Sequence, residues 1–362
     1  MLPVDVPPFG AYVHVPFCAK RCDYCAFATW TDRDHLMVEY SRAVVQEIGR
    51  AVATGLAPSS SVFFGGGTPS LLAPALLTDI LDAIPRTSDA EVTVECNPDT
   101  VGPELFAAYV AHGVNRVSFG VQSMVPAVLA SLGRTHDPQN VVRAVTWARE
   151  AGIETLNLDL IYGVAGERVT DWEATLRGVL ALDPPLVSAY ALTVEAGTPL
   201  AADHDRHPDD DDQADKYDLA NELLGADGLA NYEVSNWAVP GHECRHNWLY
   251  WAQGDYRGFG CAAHSHEQGR RFWNVRTPER YLALVGAGAS PEGGSETLDA
   301  PARRLEQRQL ALRTRAGVPA ASFPESDLAE LVEARLVTVE AGQAVLTPHG
   351  RLMGSAVSLR LI

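Results

Sequence analysis

Short apolar runs alternate with longer amphipathic stretches over residues 11–224, and this alternation leaves few folds open to the chain. The runs with strand character lie at residues 11–17, 61–64, 91–96, 116–121, 155–162 and 187–194. Stretches of helical length follow them at residues 33–52, 73–84, 104–112, 139–151, 170–182 and 213–224. Strict alternation predicts a parallel sheet with right-handed crossovers, and six units would form about three quarters of an eight-unit barrel. The sequence therefore predicts an α/β protein built on a partial (β/α)6 TIM-like barrel.

The alternation stops near residue 230, which predicts further domains after the barrel. The three predicted domains are the barrel with its cofactor sites (residues 1–230), an aromatic- and glycine-rich extension (residues 231–295) and a C-terminal appendage (residues 296–362). Two predicted helices and a small hairpin in the appendage occupy residues 302–316, 326–334, 336–339 and 344–346. This order is typical of a small winged-helix-like α+β unit. At the start of two barrel helices, Asp32 and Asp137 are the predicted N-caps.

The balance of charge excludes several kinds of partner. The chain carries 28 Lys and Arg against 46 Asp and Glu, a formal net charge of -18. Such a surface repels phosphate backbones, so we expect no nucleic-acid partner, even for the winged-helix-like appendage. The sequence lacks the apolar run of about 20 residues that a transmembrane helix needs, and its start, MLPVDVPPFG, lacks the pattern of a signal peptide. We therefore expect a cytoplasmic protein without a transmembrane segment.

Several predicted barrel strands carry polar side chains on one face. Alternate residues of a strand share a face, and the polar sets are Thr93 with Glu95, Ser118 with Gly120 and Gln122, and Asn157 with Asp159. A buried carboxylate needs donors or water, which a ligand in the mouth of the barrel would supply. Each group alone could instead be satisfied by nearby backbone or salt-bridge partners. Because the pattern repeats on three strands, it favours a ligand site inside the barrel.

Three of the six cysteines, Cys18, Cys22 and Cys25, form a C-x3-C-x2-C array directly after the first predicted strand. This position is the carboxyl end of the sheet, where barrel active sites lie. A structural zinc site needs four ligands, whereas three thiolates on a [4Fe–4S] cluster leave one iron open to a small molecule that chelates through an amine and a carboxylate. The spacing also fits a buried helix face, and zinc with a distant His or Cys is the alternative metal. The array favours the cluster.

The second predicted strand ends in FFGGGTPSLL, which contains Gly65, Gly66 and Gly67. Glycines permit positive φ angles and close approach of the backbone to a ligand. The segment lacks the lysine of a P-loop and the spacing of a dinucleotide-binding fingerprint. A phosphate site is therefore disfavoured, and a flat contact to a nucleoside-bearing amino acid fits better.

Seven segments in this order resemble those of a known family: YVHVPFCAKRCDYCAF, FFGGGTPSLL, VECNPDT, RVSFGVQS, LNLDLIYG, HNWLYW and GFGCAAHS. It is the family of radical S-adenosylmethionine proteins related to oxygen-independent coproporphyrinogen III oxidase, and the similarity covers nearly the whole chain. Phe27 stands where the oxidase has a further cysteine, and the oxidase's longer N-terminal arm is missing. Both departures resemble the haem-chaperone branch of the family.

The resemblance implies that Cys18, Cys22 and Cys25 hold a [4Fe–4S] cluster whose fourth iron binds S-adenosylmethionine. The other implied contacts to S-adenosylmethionine are Tyr12, Tyr24, Gly66, Gly67, Thr68, Glu95, Gln122, Arg134 and Asp159. Glu95 or Asp159 would accept hydrogen bonds from ribose hydroxyls or the amine, and Arg134 would pair with a carboxylate. These positions overlap the polar sets and the glycines described above. No catalytic residue is assigned.

In the haem-chaperone branch an HNxxYW motif is associated with haem, so the resemblance makes His246 the haem candidate, with Asn247, Tyr250 and Trp251 around it. On the residues alone, His246 could instead be a hydrogen-bonded loop histidine. Haem iron accepts imidazole or thiolate, so there are alternative ligands nearby. They are His242, Cys244, Cys261, His264 and His266.

The resemblance implies a chaperone that binds haem, the cluster and S-adenosylmethionine and passes haem to an acceptor protein, with an electron donor as a further partner. The alternative is a radical S-adenosylmethionine enzyme acting on a tetrapyrrole, such as coproporphyrinogen III oxidase, although Phe27 argues against oxidase activity. A zinc-stabilised interaction protein is the third hypothesis. The sequence identifies neither the acceptor nor the electron donor.

Overall fold

The computed structural model describes residues 6–362, and its central feature is the predicted parallel sheet. The barrel strands are β1 (Gly10–Val15), β2 (Ser59–Gly66), β3 (Arg86–Cys96), β4 (Arg116–Gln122), β5 (Thr155–Tyr162) and β6 (Leu186–Ala191). The helices between and after them are α1 (Met37–Ala53), α2 (Pro74–Ala83), α3 (Pro103–Ala111), α4 (Pro126–Ser131), α5 (Pro138–Glu150), α6 (Val169–Leu180) and α7 (Asp210–Ala226). Neighbouring barrel strands pair in sequence order and in parallel. The partial (β/α)6 barrel is therefore confirmed.

The main hydrophobic core lies between the outer face of this sheet and the helices. On β1, Val13 and Val15 are fully buried. On α1, Tyr40, Val44 and Ile48 are fully buried as well, because residues four apart share one face of a helix. Burying a Val or Ile side chain contributes about 1.5–3 kcal/mol. The apolar outer face therefore holds the sheet to the helices and leaves the inner face of the strands for polar residues.

The segment after the barrel adds strands to both edges of the sheet. Its elements are β7 (Ala230–Glu233), β8 (Asn236–Ala238), α8 (Arg245–Trp251), β9 (Tyr256–Phe259), β10 (His264–Glu267), β11 (Arg270–Asn274), α9 (Pro278–Gly286) and β12 (Glu292–Thr297). β8 pairs antiparallel with β6, and β9 pairs parallel with β1. The sheet thus has 12 strands in the order β12-β11-β10-β9-β1-β2-β3-β4-β5-β6-β8-β7, and within residues 6–362 its two edges do not meet. The domain boundary near residue 230 stays a prediction.

The C-terminal residues form the predicted small α+β unit. Its elements are α10 (Ala300–Leu312), β13 (Val318–Pro319), α11 (Glu325–Glu333), β14 (Val337–Glu340), β15 (Gln343–Leu346), α12 (Pro348–Leu352) and α13 (Gly354–Ser358). β13, β15 and β14 form a separate three-stranded sheet. Leu312, Phe323 and Leu331 belong to a separate hydrophobic cluster beneath it.

Two helix starts show where local patterns succeed and fail. The side chain of Asp137 accepts a hydrogen bond from the backbone N–H of Gln139 at 2.9 Å, as predicted for an N-cap. Asp32 is not an N-cap, because a 3-10 turn precedes α1 and the Asp32 carboxylate pairs with Arg33 instead. Among residues 6–362, no helix combines the length and apolar character that crossing a membrane requires. The N-terminal segment MLPVDVPPFG, for which we expect no signal-peptide pattern, lies partly outside the described residues, since these begin at residue 6.

Candidate functional site

The cysteine array lies in the long loop between β1 and α1, at the carboxyl end of the sheet. The backbone N–H of Cys18 donates to Trp30 O at 3.0 Å, and that of Trp30 donates to Pro16 O at 2.8 Å, so the two ends of the loop are held together. Cys18, Cys22 and Cys25 are free thiols, and each is half-buried. Burial raises the pKa of the Cys18 and Cys25 thiols. The fold thus brings three accessible thiols to one loop at the barrel mouth.

The geometry of the array differs from that of a single-ion site. Across residues 6–362, no three His, Cys, Asp or Glu side chains come close enough to coordinate one metal ion. A [4Fe–4S] cluster binds each cysteine through a different iron, so its protein ligands do not converge on one atom. The cluster and zinc predictions for the array both stay open on this geometry.

The glycine segment at the end of β2 packs tightly against the chain that leaves β1. The backbone N–H of Gly67 donates to Val15 O at 2.7 Å, and that of Thr68 donates to Phe17 O at 2.8 Å. A Cβ atom on Gly67 would lie 2.5 Å from Phe17 O, which is a backbone clash. Gly66 has a φ of +108°, a conformation that favours glycine. The close approach therefore serves backbone packing here, and it also brings the Thr68 hydroxyl to 3.8 Å from the Cys18 sulfur.

Arg134 links the cysteine loop to the end of β4. Its Nη2 donates to Gly120 O at 2.6 Å, and its Nη1 lies 3.7 Å from the Cys22 sulfur. Its Nε is buried with no hydrogen-bond partner among the described residues. Gln122 follows a bulge with a φ of 65°, and its amide lies over Gly120, where a Cβ would be 3.0 Å away. Tyr24 packs against a small apolar cluster nearby. The structure thus brings Cys22, Gln122 and Arg134 together.

The inner face of the strands surrounds a cavity of about 250 Å³ that Tyr12, Glu95 and Asp159 help to line. Glu95 Oε2 accepts a hydrogen bond from the backbone N–H of Gly66 at 3.2 Å. Burial, together with the negative charge of Asp159, raises the pKa of Glu95 to about 8. The hydroxyl of Ser118 donates to Asp159 at 2.7 Å, and burial raises the pKa of Asp159 as well. The predicted polar face therefore exists, and its two carboxylates lie close enough to affect each other.

The cavity has further polar walls that the sequence reasoning missed. The amide of Asn157 donates to Ser188 Oγ at 2.8 Å, and Ser188 donates in turn to Asn236 on β8. Asn157 Oδ1 and Thr93 Oγ1 are buried with no partner among the residues described. The alternation of the sixth predicted strand could have placed Ser188 on the inner face, since residues 188 and 190 share a face. Asn236 was not, because only the tertiary pairing of β8 with β6 brings it to the cavity.

The HNxxYW segment forms α8, which packs against β2 through His246. His246 is 1% exposed, and its ring stacks on Phe63 with 5.3 Å between centroids. Its Nδ1 shares a hydrogen bond with Ser61 Oγ at 2.9 Å, and its Nε2 shares one with Tyr250 OH at 2.8 Å. Burial lowers the pKa of His246 to about 3. Binding of haem iron by His246 stays a prediction, and it would require one of these hydrogen bonds to break.

Glu91 anchors the start of α8, and its replacement by glutamine is expected to destabilise the protein by about 1–2 kcal/mol. The Glu91 carboxylate accepts from the backbone N–H groups of Arg245 at 3.2 Å and His246 at 3.1 Å, and it lies 3.7 Å from the buried guanidinium of Arg116. Glutamine turns one acceptor into a donor and removes the charge that pairs with Arg116. Urea unfolding measures the loss. The exposed Glu104→Gln serves as the control, and equal stability of both variants would contradict this role for Glu91.

Comparison with known proteins confirms the predicted family. Residues 12–179 match the model of the radical SAM superfamily. The heme chaperone HemW of Mycobacterium tuberculosis H37Rv is 41% identical over 377 residues, which cover 100% of this chain and 97% of that relative. HemW of Bacillus subtilis 168 is 33% identical and covers 96% of this chain and 97% of its own length. The solved coproporphyrinogen III oxidase HemN of Escherichia coli, a radical SAM enzyme, has a TM-score of 0.85 at 24% identity and covers 97% of this chain and 89% of its own, which shows a shared fold.

Proposed function

The chain belongs to the radical SAM superfamily and, within it, to the family of the heme chaperone HemW proteins, and from this we propose that it binds haem and passes it to an acceptor protein. The observation that carries the proposal is the 41% identity over the whole chain to a relative with that name. We also propose that the protein acts in the cytoplasm, a compartment that keeps thiols such as the three of the array reduced. The superfamily implies a [4Fe–4S] cluster and S-adenosylmethionine as cofactors.

The residues of the β1–α1 loop fit such a cluster. Cys18, Cys22 and Cys25 are accessible free thiols on one loop, and three thiolates leave one iron of the cluster open. The guanidinium of Arg134, 3.7 Å from the Cys22 sulfur, would stabilise the negative charge of the thiolates. When bound, the cluster supplies the electron that radical chemistry on S-adenosylmethionine requires.

The neighbouring residues fit S-adenosylmethionine beside the cluster. Gly66, Gly67 and Thr68 lie next to the cysteine loop, and Tyr24 belongs to that loop. Arg134 approaches Cys22 of the same loop, and Gln122 lies beside Arg134 at Gly120. The contacts that we propose deeper in the barrel are Tyr12, Glu95 and Asp159. The unpartnered oxygens of Thr93 and Asn157, within the described residues, and the unpartnered Nε of Arg134 are groups that a polar ligand could satisfy.

The alternative function is a radical enzyme acting on a tetrapyrrole, such as coproporphyrinogen III oxidase. Its basis is the shared fold with HemN. Against it stands Phe27, which occupies the position of the further cysteine in the oxidase pattern and whose side chain is 65% exposed beside the array. The sequence departure and the identity to the HemW relatives both favour the chaperone.

Two measurements on the anaerobically reconstituted protein separate these functions. We expect stoichiometric binding of haem, transfer of that haem to an added apo-cytochrome, and no conversion of coproporphyrinogen III to protoporphyrinogen IX when S-adenosylmethionine and a reductant are present. Absorption spectra follow the haem, and chromatography detects the porphyrin product. A protein that forms protoporphyrinogen and holds no haem would reverse the order of the two functions.

A further inference from the structure

A second and larger concavity lies beside the cysteine loop, between that loop and the strands β9 to β12. We call it the β10 groove, and its volume of about 620 Å³ lies within the range of about 300–1,000 Å³ typical of cofactor sites. Aromatic rings supply much of its wall, from Phe27, Tyr250, Tyr256 and Trp273. Such rings present flat apolar faces to a flat apolar ligand. The shape and lining therefore suit a large planar molecule.

We infer that the β10 groove is the haem site, with His264 as the iron ligand and with Arg276 and Arg280 pairing the two haem carboxylates. The inference rests on the proposed function, since it assigns a place to the haem that a chaperone would carry. Each of the three features that haem needs, an aromatic wall, an imidazole and a pair of cations, is present on the lining of one groove.

His264 meets the requirements of an iron ligand in a way that His246 does not. It is the first residue of β10, it is exposed, and it lines the groove. Its ring stacks on Trp273 of the paired strand with 5.6 Å between centroids and an angle of 26°. Among the residues described, no hydrogen bond holds either ring nitrogen of His264. By contrast, both nitrogens of His246 are hydrogen-bonded in a nearly inaccessible position.

The rim of the groove is positive although the chain as a whole is strongly negative. Arg276 and Arg280 are both exposed and line the groove, and within residues 6–362 neither forms a salt bridge. The chain has 28 Lys and Arg against 46 Asp and Glu, yet the residues that line the groove include these two arginines and no Asp or Glu. Arginine binds carboxylates through two parallel hydrogen bonds. The rim thus complements a ligand that has a pair of carboxylates.

The groove also gives the HNxxYW segment a role. Tyr250 lines both the interior cavity and the β10 groove, and its hydroxyl shares a hydrogen bond with His246 Nε2 at 2.8 Å. His246 therefore acts as a positioning residue: it does not line the groove itself, and its hydrogen bond fixes the position of Tyr250 in the groove wall. Loss of His246 should weaken haem binding through Tyr250 while the bound haem keeps the absorption spectrum of its histidine ligand.

The test compares two probes, ferric haem and metal-free protoporphyrin IX, which share the ring and the carboxylates and differ in the iron. We expect His264→Ala to weaken haem binding about tenfold or more and to change the visible spectrum of bound haem, while the affinity for the metal-free porphyrin stays the same. The double variant Arg276→Gln/Arg280→Gln should weaken both probes about tenfold. His246→Ala should lower haem affinity and keep the wild-type spectrum.

Matched controls are an exposed histidine outside the groove, His35→Ala, and two exposed arginines on outer helices, Arg143→Gln with Arg177→Gln. Thermal unfolding shows that each variant is folded, and His264→Gln repeats the test with a larger side chain. If wild type binds haem and His264→Ala keeps both affinity and spectrum, the inference is overturned and the proposed function stands. If wild type binds no haem, the proposed function itself fails and the inference fails with it.

Discussion

The triple variant Cys18→Ala, Cys22→Ala, Cys25→Ala is expected to lose the iron–sulfur cluster completely. After anaerobic reconstitution, wild type should contain about four iron and four sulfide ions per chain and absorb visible light broadly. The variant should contain almost no iron or sulfide. The reason is that the three thiols lie together on a loop whose ends are held by the Cys18–Trp30 and Trp30–Pro16 hydrogen bonds. Chemical analysis of iron and sulfide measures the effect, and binding of S-adenosylmethionine should be lost with the open iron.

The matched control is Cys244→Ala, which removes a buried thiol at the start of α8, outside the cysteine loop. Its iron and sulfide content should equal that of wild type. Equal contents in the triple variant and in wild type would refute the assignment of the array. Wild-type protein that binds zinc and forms no brown chromophore would instead support the zinc-stabilised interaction protein.

The barrel was predictable because its signals are local and repeated. Each parallel strand is buried on its outer face and followed by a helix, so the order of apolar runs and amphipathic stretches carries the topology. Strands β7 to β12 were not predictable in this way. β8 has three residues, and all six residues of β12, EGGSET, are at least partly exposed, so neither has the pattern of a half-buried strand. They form because the open edges of the barrel sheet supply unpaired backbone groups, which is a tertiary effect.

The polar interior was partly predictable for the same reason. Period-two alternation places Glu95 on the inner face of β3 and Asp159 on that of β5, and both line the cavity. Alternation cannot show that Gln122 follows a bulge, that Asn236 joins the wall from β8, or that His246 uses both ring nitrogens internally. These facts depend on contacts between residues far apart in the chain. For the same reason, the exposed His264 carried no stronger signal in the sequence than four other candidate ligands.

Glu95→Gln is expected to stabilise the cofactor-free protein at pH 8 by about 3 kcal/mol relative to wild type. The pKa of Glu95 rises from an ordinary value of 4.5 to about 8, because of burial and the charge of Asp159. Between these two values the folded protein binds more protons than the unfolded chain, so the free energy of unfolding falls as the pH rises from about 5 to about 8. If Glu95 were fully shielded from water, ionising it would lower the free energy of unfolding by about 5 kcal/mol. Glu95 lines the interior cavity, and contact with water there reduces that loss.

Glutamine keeps an oxygen that can accept from the backbone N–H of Gly66, and it removes the charge that opposes Asp159. The variant should therefore show a flatter dependence of unfolding free energy on pH, measured by urea denaturation at pH 5 and pH 8. The exposed Glu104→Gln should match wild type within about 0.5 kcal/mol at both values. A wild-type protein that gains stability from pH 5 to pH 8 more steeply than Glu95→Gln would contradict the prediction.

The same substitution should weaken cofactor binding, because S-adenosylmethionine brings a sulfonium cation. Ionisation of Glu95 is unfavourable in the cofactor-free protein. It becomes favourable once a cation binds beside the carboxylate. We expect Glu95→Gln to bind S-adenosylmethionine about tenfold more weakly than wild type at pH 8, and wild-type affinity to increase from pH 6 to pH 8 while that of the variant stays constant. Calorimetric titration of the reconstituted protein measures both. If Glu95→Gln is more stable than wild type and binds S-adenosylmethionine equally well, the unfavourable burial of Glu95 does not serve this cofactor.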